Sequence, residues 1–167
     1  AQPTMTSAEE VRVQAFKDRR QACEATRGKP RVKVERKGPK AAETSAPDGV
    51  AHELMVADLT RAFGTADIEF MERTLHQVLN AVSGGTTNIS EHQFNGVIAS
   101  VAAIEPRDEI EAMLATQMTA AQDAAMVLMR QLQNADTIMQ RDSAGNLAVK
   151  FMRTFTNQME ALRRHRS

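Results

Sequence analysis

One stretch constrains this chain more than any other. Five of the seven residues in EPRDEIE (105–111) are charged, and the next eighteen, 112–129, carry a single charge, at Asp123. The acids read as the opening of a helix. Pro106 suits a first turn, where its missing N–H costs nothing. Asp108, Glu109 and Glu111 stand where unpaired N–H groups and the helix dipole stabilise negative charge. In the body, Leu114, Met118, Ala121, Ala125, Leu128, Leu132, Ala135 and Met139 alternate at spacings of four and three, a heptad seam. Met113, Ala120, Ala124, Val127 and Met129 add a second apolar face beside it. A helix apolar over so much of its circumference requires more than one neighbour.

RDSAGN (141–146) reads as a turn into a last helix carrying Ala148, Phe151, Phe155, Met159 and Leu162 on one face. The pattern predicts an antiparallel hairpin over 106–166, helices of about 35 and about 22 residues crossing near ~20°. Its candidate interface residues are Leu114, Met118, Ala121, Ala125, Leu128, Leu132, Phe151, Phe155 and Leu162.

Three shorter helices are predicted ahead of the hairpin. VAHELMVADLTRAFG places Val50, Leu54, Val56 or Ala57, and Phe63 on one side and stops at Gly64. The next starts at Thr65 or Asp67, carries Ile68, Met71, Leu75, Val78, Leu79 and Val82, and ends at Gly84 and Gly85. SEHQ (90–93) is a Ser-x-x-Gln capping box ahead of Phe94, Val97, Ile98, Val101 and Ile104.

The first 49 residues differ in composition. Ser7 reads as the cap of a first helix with Glu9 and Glu10 in its opening turn, ending by Gly28. Residues 28–49 hold three prolines and three glycines, and few apolar side chains to offset the entropy of ordering. They read as a flexible linker. Residues 1–40 hold 11 basic and 5 acidic side chains, against 10 and 16 in the remainder, so a basic arm precedes an acidic body in a chain of zero net charge. Arg27, Lys29, Arg31, Lys33, Arg36, Lys37 and Lys40 are the candidate nucleic-acid contacts, of the salt-dependent, sequence-blind kind. A solvated linker is the equal alternative.

No pattern of residues carries catalysis. His52, His76, His92 and His165 have no cysteine partners and no ligand spacing, which argues against zinc. SGGTT (83–87) lacks the Lys-Ser/Thr of a phosphate loop, and DSAGN (142–146) lacks the carboxylates of a calcium loop. An enzyme assembled from Glu72, His76 and Asn80 shows no nucleophile–base spacing. Cys23 is the only cysteine, which fits a reducing cytosol, and the first residues show no apolar signal segment. The 112–129 run, with Gln117, Gln122 and Asp123, is too polar for a membrane span.

The segments FGTADIEFMERTLHQVLNAV, IEPRDEIEAMLATQM and NLAVKFMRTFTNQMEALRRHR, within residues 60–166, resemble a proteobacterial family of helical proteins of uncharacterised function met near prophage and mobile-element genes. The resemblance implies a helical fold and no activity or catalytic residues. A small terminase subunit, with a DNA-binding arm on an oligomeric helical hairpin, is similar at the level of architecture.

The expectation is therefore an all-α protein of two parts: a partly helical or disordered basic arm and linker (1–49), and a helical domain of about five helices ending in the long hairpin (50–167). Its expected role is non-enzymatic and cytoplasmic, without cofactor, metal, membrane or small-molecule substrate. It is expected to self-associate through the hairpin, with nucleic acid as a further partner of the arm. The alternative is a protein–protein adaptor docking through the Met/Ala/Leu-rich helix, without nucleic-acid binding.

Overall fold

A computed structural model describes residues 5–28, 30–38, 41–83 and 90–167; at 26–27, 36–38 and 41–42 it describes the backbone alone. The described chain is mostly helical: α1 (Ser7–Arg27), α2 (His52–Ala62), α3 (Ile68–Ser83), α4 (Glu91–Ile104), α5 (Glu109–Gln133) and α6 (Ile138–His165). Two short antiparallel strands, β1 (Lys33–Gly38) and β2 (Ala41–Ser45), lie between α1 and α2. No helix among the described residues is long and apolar enough to cross a membrane.

The start of α1 is capped one residue earlier than Ser7. Thr6 is the N-cap, and the Glu9 carboxylate reaches back to accept from the Thr6 backbone N–H at 2.7 Å. At the other end Gly28 takes a positive φ.

The core is built by α2, α3, α4 and the first half of α5. Met71, Leu75, Val78 and Leu79 of α3 meet Phe94, Val97, Ile98, Val101 and Ala102 of α4, and Ala115 of α5 closes the cluster. Ser90 caps α4, accepting from Gln93 N, and the Gln93 side chain returns to the Ser90 N–H. The buried side of α2 differs from the one expected. Met55, Leu59 and Ala62 are inside with Phe63, whereas Val50 and Leu54 face solvent. The α2 sequence is apolar on two sides, and the position of α3 and α4 selects one.

Residues 28–49, read as a linker, contain the β1–β2 ribbon and a core residue. Val32 is buried with the α2–α4 cluster, and Val34 and Ala46 pack against it. The Asn95 side chain anchors the segment by accepting from Val32 N and donating to Val32 O, each at 2.9 Å. Glu91 accepts from Val34 N. The alternation Val32-Lys-Val34 is a short strand pattern set among charges, and its partner lies sixty-three residues away on α4.

The α4–α5 junction also departs from expectation. Glu105 adopts a left-handed conformation, Pro106 is buried ahead of the helix, and Asp108 is the N-cap of α5, accepting from Glu111 N at 2.8 Å. Gly64, at φ 59°, lies so near Pro106 that an added Cβ would fall on its carbonyl.

α6 runs back along α5, with Gln117 against Gln158 near the middle and Asp108 against His165 at the base. The connection is at 134–137, and RDSAGN lies inside α6. The signal for this was present as Thr137-x-x-Gln140, a second capping pattern: Thr137 Oγ1 accepts from Gln140 N at 3.2 Å.

Candidate association surface

The seam predicted on α5 lies largely inside the chain. Met118, Ala121 and Ala125, with Ala144, Ala148 and Leu162 of α6, are buried where the two helices meet. Leu114, Leu128, Leu132 and Phe155 are half-buried along the same line, and Phe151 is exposed at its margin. Most of the candidate interface residues thus serve the α5–α6 contact itself.

The flank beside that seam is open. Met113, Gln117, Ala120, Ala124, Val127 and Gln131 follow one another along α5 at spacings of four and three. Antiparallel to them, Gln140, Ser143, Leu147, Phe151, Thr154, Gln158 and Ala161 follow along α6. Met113 is 45% exposed, Val127 41% and Leu147 42%. Leu128, Gln131, Gln140, Ser143 and Leu147 line one groove near the tip together with Arg130 and Asp136, and Met113, Gln117 and Ala120 line another against Phe70, Arg73 and Gln77 of α3.

Its thirteen positions carry no charge, although a quarter of the chain's residues are charged; Asp123 and Lys150 stand beside them, and Arg73, Arg130 and Asp136 line the two grooves at its ends. Asp142, Arg153, Glu160 and Arg164 of α6 are exposed on its far side. Within the flank, Gln158 donates to Gln117 Oε1 at 3.1 Å, while Gln158 Oε1 is buried and accepts no hydrogen bond.

The base of the hairpin holds the strongest polar cluster. Glu111, expected as a solvated helix-start acid, is 1% exposed. Arg166 grips it in a fork, Nε to Oε1 at 3.0 Å and Nη2 to Oε2 at 2.7 Å, and the Arg107 N–H adds a third bond. Arg166 Nη2 also donates to the Ile104 and Glu105 carbonyls at the end of α4. The same side chain thus ties the end of α4 and the start of α5 to the end of α6. The Arg166 bonds hold the Glu111 carboxyl below the usual carboxylate range against the opposing effect of burial. Asp108 is lowered first by its bond to His165 and then by the Glu111 N–H.

Asp108, Glu111 and His165 bring three metal-ligating side chains within 4.8 Å of one another, a grouping invisible in the sequence spacing. Each is already paired within the protein, and both Glu111 oxygens are held by the arginine. The cluster's chemistry is that of a structural ion-pair clamp.

Of the candidate nucleic-acid residues, Lys29 and Lys40 lie outside the described residues, as do Gly84 and Gly85 of the expected helix stop, and the side chains of Arg27, Arg36 and Lys37 are not described. Arg31 is exposed. Lys33 is paired with Asp48 at 3.0 Å and Glu35 at 3.6 Å, and the Asp48 bond raises its pKa. Glu72, His76 and Asn80 are exposed along α3. Comparison with protein-family models, with curated proteins and with solved structures finds no match.

Proposed function

We propose that this is a non-enzymatic association protein whose α5–α6 hairpin presents one flank to a helical partner. The observation that carries the reading is the flank itself: thirteen positions at helix-contact spacing without one ionised group, with charges of both signs only at their margins. A solvated helix face is not built this way, because exposed positions are where charged side chains are ordinarily placed. A face in contact with another helix is, since apolar and small residues there let the helices approach.

The test is hydroxyl-radical footprinting in cells that express the protein. Met113 and Met139 are both exposed in the single chain. Met139 at the hairpin tip should oxidise at the rate of a free methionine, and Met113 within the flank several-fold more slowly. Equal rates at the two positions would remove the association reading.

A further inference from the structure

We infer that the occupant of this flank is the same flank of a second copy, the two hairpins closing into a four-helix arrangement about a two-fold axis. The inference rests on the association reading and names its partner.

Charge is the first argument. A nucleic acid, an acidic peptide or a lipid headgroup would be met by a basic patch, whereas the thirteen positions carry no ionised group and the charges at their margins, Arg73, Arg130, Lys150, Asp123 and Asp136, are of both signs. Its complement is a neutral, partly apolar helical surface of equal length. The chain itself displays such a surface, and two-fold symmetry brings it to itself without opposing like charges.

Extent is the second. From Met113 to Gln131 and from Gln140 to Ala161 the flank runs about 30 Å at 1.5 Å per residue. Two helices ~9 Å apart present a face roughly 19 Å wide. Two such faces bury about 1,100 Å² in total, just above the ~1,000 Å² that a specific interface requires. The dimer expected on that area is reversible.

The third argument is the small side chains at the middle of the flank. Ala120 and Ala124, with no side chain beyond Cβ, leave room for the approach.

The experiment is light scattering of residues 1–167 after size exclusion at about 100 μM and at low and high salt, on the wild type and on a Val127→Glu, Leu147→Glu double variant. The wild type should give the mass of two 18.4 kDa chains at both salt concentrations. Burying two unpaired carboxylates per copy should weaken the dimer by at least ~100-fold, giving a monomer with an unchanged helical circular dichroism spectrum. Both side chains are partly exposed in the single chain, and the circular dichroism spectrum checks that its fold is kept. A monomeric wild type, or a variant that stays dimeric, overturns the inference. If the wild type is monomeric while Met113 stays protected in cells, association survives with a different partner. If that protection is absent too, both readings fall.

Discussion

Glu111 shows how much one residue changes meaning between a sequence and a fold. Beside Asp108 and Glu109 it reads as one more acid at a helix start, yet it is buried and gripped by Arg166. Removing the guanidinium leaves a buried carboxylate uncompensated, so Arg166→Ala should cost about 3 kcal/mol in urea unfolding, the low end for such pairs because the arginine is a quarter exposed. The pH dependence has a definite sign. The folded-state pKa of Glu111 is lowered, so its contribution is present above the unfolded value of about 4.3 and is lost as pH falls through the folded value. Glu111→Gln should therefore lower stability at pH 7 by about 1–2 kcal/mol, and the penalty should shrink as pH falls below the unfolded value and through the folded one. A penalty that does not change as pH falls would show that the charge plays no part. Gly64 is the second decisive residue. Its φ of 59° favours glycine, and a Cβ would strike the Pro106 carbonyl. Gly64→Ala should cost about 3 kcal/mol, read as a lowered urea midpoint at unchanged slope.

Among the elements, the β1–β2 ribbon depends most on a distant partner. Two strands alone are marginal in water, and this pair is tied down by Val32 in the core and by the paired Asn95 bonds. Asn95→Ala removes both bonds from a half-buried backbone unit. Amide hydrogen exchange over 33–38 should then speed by about tenfold, with α3 and α6 unaffected. Unchanged exchange would mean that Val32 packing alone holds the ribbon. The strand was not legible because Val32 and Val34, before and within it, are isolated among charges, and no local pattern reports an asparagine sixty-three residues on. The hairpin turn is the opposite case. Thr137-x-x-Gln140 was legible by the rule that located α4, but Asp142, Ser143, Gly145 and Asn146 formed a denser cluster of turn residues. Helix packing overrode their propensities: Ala144 is buried, and Gly145 lies near the Leu132 side chain.

At the scale of the whole molecule, the core gathers at one end, and α5 and α6 continue beyond it with each other as principal neighbours. That placement makes the flank available, and the light-scattering and footprinting outcomes belong to this scale. Local pattern sufficed for the helical class, the capping of α4 by Ser90 and Gln93, the core faces of α3 and α4 apart from Ile68, which is exposed, and two apolar faces on α5. These are local properties, set by 3.6-residue periodicity and by groups three or four residues apart. Tertiary structure alone decided which side of α2 is buried, that Val32 joins the core, that Arg166 closes three helices around Glu111, and which of the two α5 faces α6 covers. The Arg166 and Val32 contacts join groups 55 and 63 residues apart, and their energies appear only once the chain has brought them together. The covered faces follow from the same physics: when a helix is apolar on two sides, its neighbours choose.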